Sequence, residues 1–142
     1  MTKTLVTLKK LANRKVEDLE QNLAAVRQGI GQVKVALVRN AEEMVRAGVQ
    51  AAEGADLMMM QAAQGFIQRL KVERAKLDGL LAQGQAREQD VLAALRVAFM
   101  ERERYDILHQ RREAERKKSL AKKAQDGLDE IGGRVGAAVE KT

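Results

Sequence analysis

The chain has no cysteine, no proline and no tryptophan, and its 142 residues include only one histidine, one serine, one tyrosine and two phenylalanines. Without cysteine there is no disulfide framework and no thiolate ligand. A lone His109 and a lone Ser119 leave zinc sites and nucleophilic triads short of the residue types they need. No stretch approaches the roughly 18 apolar residues of a membrane span. The start, MTKTLVTLKKLANRK, contains no signal-peptide apolar region. Neither G-x-x-x-x-G-K-[ST] nor G-x-G-x-x-G follows a strand-like run. These absences argue against an enzyme, a resident cofactor or metal, and a membrane-spanning protein. The expectation is a soluble cytoplasmic chain.

The 45% hydrophobic content is mostly Ala, Leu and Val, with 2% aromatic residues, a poor supply for a round core. Helix formers dominate, as in long helices and coiled coils. One series of seven-residue steps runs Leu5, Ala12, Leu19, Val26, Val33, Asn40 and Ala47. A second runs Val16, Leu23, Ile30, Leu37, Met44 and Ala51, of which Val16 to Met44 each lie three residues before a member of the first. Together they form the two apolar positions of a heptad repeat. Gly29, Gly31 and Gly48 interrupt it, so this helix needs a partner to hold it.

A second seam uses Met60, Ile67, Leu81 and Leu95 at one position and Ala63, Leu70, Leu77, Val91, Ala98 and Tyr105 at the other. Arg74, Gly84, Glu88 and Arg102 also fall on it, while Leu80, Leu92, Phe99 and Leu108 lie beside it, which suggests stutters. Between the seams lies QAAEGADL (50–57), where Gly54 can end one helix in a left-handed conformation and Asp56 can cap the next.

The expected fold is therefore all-α, a single domain over 1–142 made of a long antiparallel two-helix coiled-coil hairpin. Helix one spans about 3–52, the turn about 53–57, helix two about 58–128, and 129–142 form a frayed glycine-containing tail. Helix one should be about 75 Å long at 1.5 Å per residue. Residue 5 should face residues near 105, leaving everything beyond about 108 unpaired.

That unpaired part is basic: Arg111, Arg112, Arg116, Lys117, Lys118, Lys122 and Lys123 outnumber Glu113 and Glu115. The whole chain carries +6, from 26 basic against 20 acidic residues. Such charge suits an acidic protein surface, a nucleic acid or an anionic membrane. Nucleic acid is the alternative reading, but no aromatics interleave the charges for stacking. A membrane-surface helix is weaker, for no Trp, Phe or Leu stripe is expected after Leu120. The mixed run ERERYD (101–106) and His109 read as a solvated helix face.

LMMMQAAQGFIQRL (57–70) concentrates Met58, Met59, Met60 and Phe66 beside Ile67 and Leu70. A two-helix seam takes only two positions in each heptad, so these side chains cannot all face inward. Met60, Ala63, Ile67 and Leu70 fit the seam; Met58, Met59 and Phe66 are left over, either as flexible packing where the coiled coil closes at its turn or as a patch for a partner.

Three segments resemble the flagellar export protein family FliJ. TLKKLANRKVEDLE (7–20) is similar to the family's opening run, GFIQRL (65–70) to its F-x-x-x-L segment, and GLDEIGGR (127–134) to its terminal D-E pair. The resemblance implies an antiparallel coiled coil similar to the stalk of rotary ATPases, acting in the cytoplasm at the flagellar base, at the inner face of the membrane. It implies the flagellar export ATPase ring, the cytoplasmic region of the export gate protein and flagellar substrate chaperones as partners. Phe66 and Leu70, with Met58 and Met59, would meet the gate; Arg14, Lys15, Arg111, Arg112, Arg116, Lys117 and Lys118 would meet the ATPase. Glu43 and Ala47 stand where family members carry tyrosines, so the gate contact would rest more heavily on the methionines and Phe66.

Overall fold

The computed structural model describes residues 2–54 and 56–140; the remaining residues, including the last two of the expected tail, lie outside that description. Among the described residues there are two helices, α1 (Thr2–Glu53) and α2 (Leu57–Glu140), and no strand. The second helix is the longer, 84 residues against 52. Contacts divide the chain into two compact units, residues 14–98 and residues 1–13 with 99–142.

In the unit of residues 14–98 the helices run antiparallel. Asn40 bonds to Leu70, Ile30 packs on Gly84, and Arg27 pairs with Glu88 at 3.4 Å. Leu23, Val91 and Leu95 form the buried cluster, flanked by Leu19, Val26 and Leu92. Every apolar-series residue of α1 in this unit, from Val16 to Ala51, is buried or half-buried. The heptad pattern therefore describes the interface that forms.

The seam of α2 is more regular than its residue types suggest. The covered positions step by three and four through Ala63, Ile67, Leu70, Leu77, Leu81, Gly84, Glu88, Val91, Leu95 and Ala98, with Arg74 the one exposed member of the repeat. Leu80 is exposed, so the apolar residue beside the seam does not pull the helix round. There is thus no stutter. Close packing of helix on helix fixes the repeat, and Gly84 is accepted because Ile30 fills its place.

Glycine substitutions should separate according to that contact. A methyl group at Gly29, Gly48 or Gly79 would meet nothing within 4 Å, whereas at Gly84 it would stand 3.0 Å from Ile30 Cγ1. Gly79→Ala is expected to stabilise by about 1 kcal/mol in urea unfolding, through helix propensity. Gly84→Ala is expected to gain nothing, because the steric clash offsets the propensity term.

At the turn, Asp56 caps α2 as anticipated: its carboxylate accepts from the Met58 N–H at 3.1 Å and its carbonyl from the Met60 N–H at 3.1 Å. Gly54 behaves differently, since no described glycine has positive φ. Its missing side chain serves space: a Cβ there would lie 3.1 Å from the Gln50 carbonyl oxygen and 3.6 Å from Met60 Cγ. Met60 is 41% exposed, so the covered seam starts at Ala63.

In the other unit, Leu5 is buried, Lys9 pairs with Asp106 at 3.1 Å, and Leu5 and Leu8 line a shallow depression with Leu108 and Arg112. Leu5 thus faces residues 108–112, about one turn beyond the expected 105. Side chains lean toward the N-terminus of their own helix, which displaces antiparallel contacts in this direction. The unpaired part of α2 accordingly begins near residue 113. It stays helical to Glu140, beyond the expected boundary at about 128, with Gln125–Asp129 and Arg134–Glu130 side-chain bonds at 3.1 Å each.

Candidate functional site

The unit of residues 14–98 presents its apolar surface at the turn. Met58 and Met59 are 77% and 65% exposed, and Phe66, one position off the Ile67–Leu70 seam, is 40% exposed. Phe66, Met59, Ala62 and Ala63 form one wall of a groove closed by Gln50, Glu53 and Gly54. The Arg69 guanidinium stands 5.9 Å from the Phe66 ring centroid, which holds a cation beside the apolar surface. Leu70 differs from its neighbours: at 3% exposure it belongs to the seam. A partner on this face would touch Phe66, Met58 and Met59 directly and meet Leu70 only through them.

The periodicity argument missed a second exposed surface on this unit. Val35, Val38, Val45 and Val49 all face solvent, and Val38, Ala41 and Val45 line a shallow depression with Glu42 and Arg46. The signal was present in the steps of three, seven and four residues from Val35 through Val38 and Val45 to Val49, one face round from the seam. The stronger Leu and Ile series masked it.

Arg14 and Lys15 lie on this unit, Arg14 exposed and Lys15 engaged by a neighbour. Arg111, Arg112, Arg116, Lys117 and Lys118 lie on the other, from the last paired residues of α2 into the start of its unpaired part. Arg112 is half-buried beside Leu108; Arg116 pairs with Glu113 at 3.3 Å; Arg111, Lys117 and Lys118 are exposed. Oriented charges on one stable helix offer a fixed surface to a polyanion or an acidic loop. The run from Glu101 to Asp106 is engaged in structure: Asp106 ties to Lys9, and Arg102 lies 5.1 Å from the Phe99 ring. His109, expected on a solvated face, is half-buried at a seam position.

The extension also carries the apolar stripe that its charge obscured. Leu120, Leu128, Ile131 and Val135 recur at helical spacing with Ala124, all exposed. Among the described residues no group of His, Asp and Glu is placed to hold a metal ion, and no helix is long and apolar enough to cross a membrane.

No curated protein and no solved structure is significantly similar to the chain. One family model matches it, that of the flagellar FliJ protein, over residues 1–140.

Proposed function

The chain belongs to the flagellar FliJ family, a coiled-coil component of the flagellar export apparatus, and from that premise we propose that it is the stalk-like partner of the export ATPase. In this reading it links the ATPase ring to the cytoplasmic region of the export gate, supports export of flagellar proteins from the cytoplasmic side, and receives flagellar substrate chaperones. The observation that carries it is the family match across nearly the whole of a chain that is two paired helices with an unpaired basic continuation.

Two surfaces divide the work. Met58, Met59 and Phe66, with Leu70 behind them, serve the gate contact through apolar burial. Arg14, Lys15, Arg111, Arg112, Arg116, Lys117 and Lys118 serve the ATPase contact through charge. Neither task needs a catalytic residue in this chain. Its contribution is positional, because a long helix that stays helical without its partner keeps its charges in fixed order.

Deleting the gene should reduce or abolish motility, and the purified chain should stimulate its cognate export ATPase and promote ring assembly. A chain that leaves both ATPase rate and ring assembly unchanged would overturn the reading.

A further inference from the structure

Asn40 is the one polar or charged residue in the buried set of described residues, at 3% exposure. Its amide Nδ2 donates to the Leu70 carbonyl at 3.0 Å. That carbonyl already accepts the Arg74 N–H within α2, so Asn40 uses its second lone pair. Asn40 Oδ1 is buried without a partner. A buried amide satisfied on one side only is a net burden on stability, and an apolar side chain in its place would pack without that penalty.

What the amide supplies is selectivity among registers. The α1 seam repeats every seven residues in apolar side chains, so sliding α1 by one heptad along α2 would set apolar against apolar almost everywhere. The turn resists such a slide weakly. On the turn side of Asn40 the buried set contains only Ala47 and Leu70, with Met44, Ala51, Ala63 and Ile67 half-buried. Asn40 breaks the degeneracy, because it needs a backbone carbonyl that no seam side chain covers. Arg74, the one exposed member of the α2 repeat between Ala63 and Ala98, leaves the Leu70 carbonyl open. One heptad away in either direction, the position of Arg74 is taken by Ile67 or Leu81, both of which turn into the seam.

We propose that Asn40, with the outward-turned Arg74, is a register pin. It trades stability for a single alignment of α1 and α2, and thereby fixes which residues of α1 stand beside Phe66 and the methionines at the turn. The pin is independent of which partner those residues meet.

The absence of cysteine makes the test direct. Spin labels on Lys34→Cys and Lys76→Cys, both exposed in the same unit, report the axial alignment by pulsed electron resonance. The otherwise native chain should give one distance population. Asn40→Leu should raise Tm by about 5 °C and add a second population, since a heptad slide moves one label by roughly 10 Å along the axis. The control Leu37→Val, an apolar change one turn away, should keep a single population. An unchanged single population in Asn40→Leu, a lowered Tm there, or a second population in the control would each overturn the assignment.

Discussion

Leu70→Ala should destabilise the chain by about 2–4 kcal/mol, whereas Phe66→Ala, four residues earlier on the same helix, should change stability by less than about 1 kcal/mol. Leu70 is 3% exposed and stands where Asn40 crosses to α2, so its truncation leaves a hole in a seam only two residues wide. The surrounding helices cannot close on that hole without shifting the Asn40 bond. Phe66 is 40% exposed, meeting the Arg69 guanidinium and lining the groove beside Gly54. Thermal unfolding followed by circular dichroism should therefore show a Tm drop of about 10 °C for Leu70→Ala and little change for Phe66→Ala. Binding to the isolated cytoplasmic region of the gate should reverse the order: Phe66→Ala should weaken it at least tenfold at unchanged helicity. Equal thermal losses from both substitutions would mean that Phe66 is a packing residue and that the apolar surface at the turn is no contact.

The contrast between these two residues also explains how much of the site was legible. Heptad counting placed Leu70 in the seam and Phe66 beside it, and both positions stand. The resemblance to the family's F-x-x-x-L segment takes the same two residues together, because a motif records what recurs and not which member faces out. Only burial separates them. The valine face of α1 went unread for a related reason: Val35, Val38, Val45 and Val49 follow the same periodicity as the core, one step round the helix, and a stronger stripe hides a weaker one.

The fold itself was legible where side-chain type and position agree. Along α1 every apolar step from Leu5 to Ala51 is covered. Along α2 they disagree: Gly84, Glu88 and Arg102 hold half-buried seam positions while Leu80 and Phe99 stay outside. Residue type suggests a stutter there, but continuous packing against a regular α1 imposes the regular repeat, and Arg27 answers Glu88 at its rim. Local chemistry misled in the same way at Gly54, where glycine signalled a left-handed cap. The need is clearance from the Gln50 carbonyl.

Reversing three charges on the extension, Arg111→Glu with Lys117→Glu and Lys118→Glu, should reduce affinity for the export ATPase by one to two orders of magnitude at low salt while leaving helicity intact. All three residues are exposed, and the ion pair of Arg116 with Glu113 is untouched. The substitution takes the formal net charge from +6 to zero, three reversals of two units each. A matching triple on the other unit, Lys34→Glu with Lys71→Glu and Lys76→Glu, makes the same change in net charge at exposed sites. If long-range attraction to an acidic ring were all that mattered, both triples would weaken binding alike, and both effects would fade as added salt shortens the screening length to about 10 Å near 0.1 M. A contact made by the extension predicts asymmetry: the first triple should abolish stimulation of ATP hydrolysis even where salt has suppressed steering, and the second should alter mainly the association rate. Equal losses from the two triples would reduce the extension to one part of a diffuse positive field and remove the assignment of Arg111, Lys117 and Lys118.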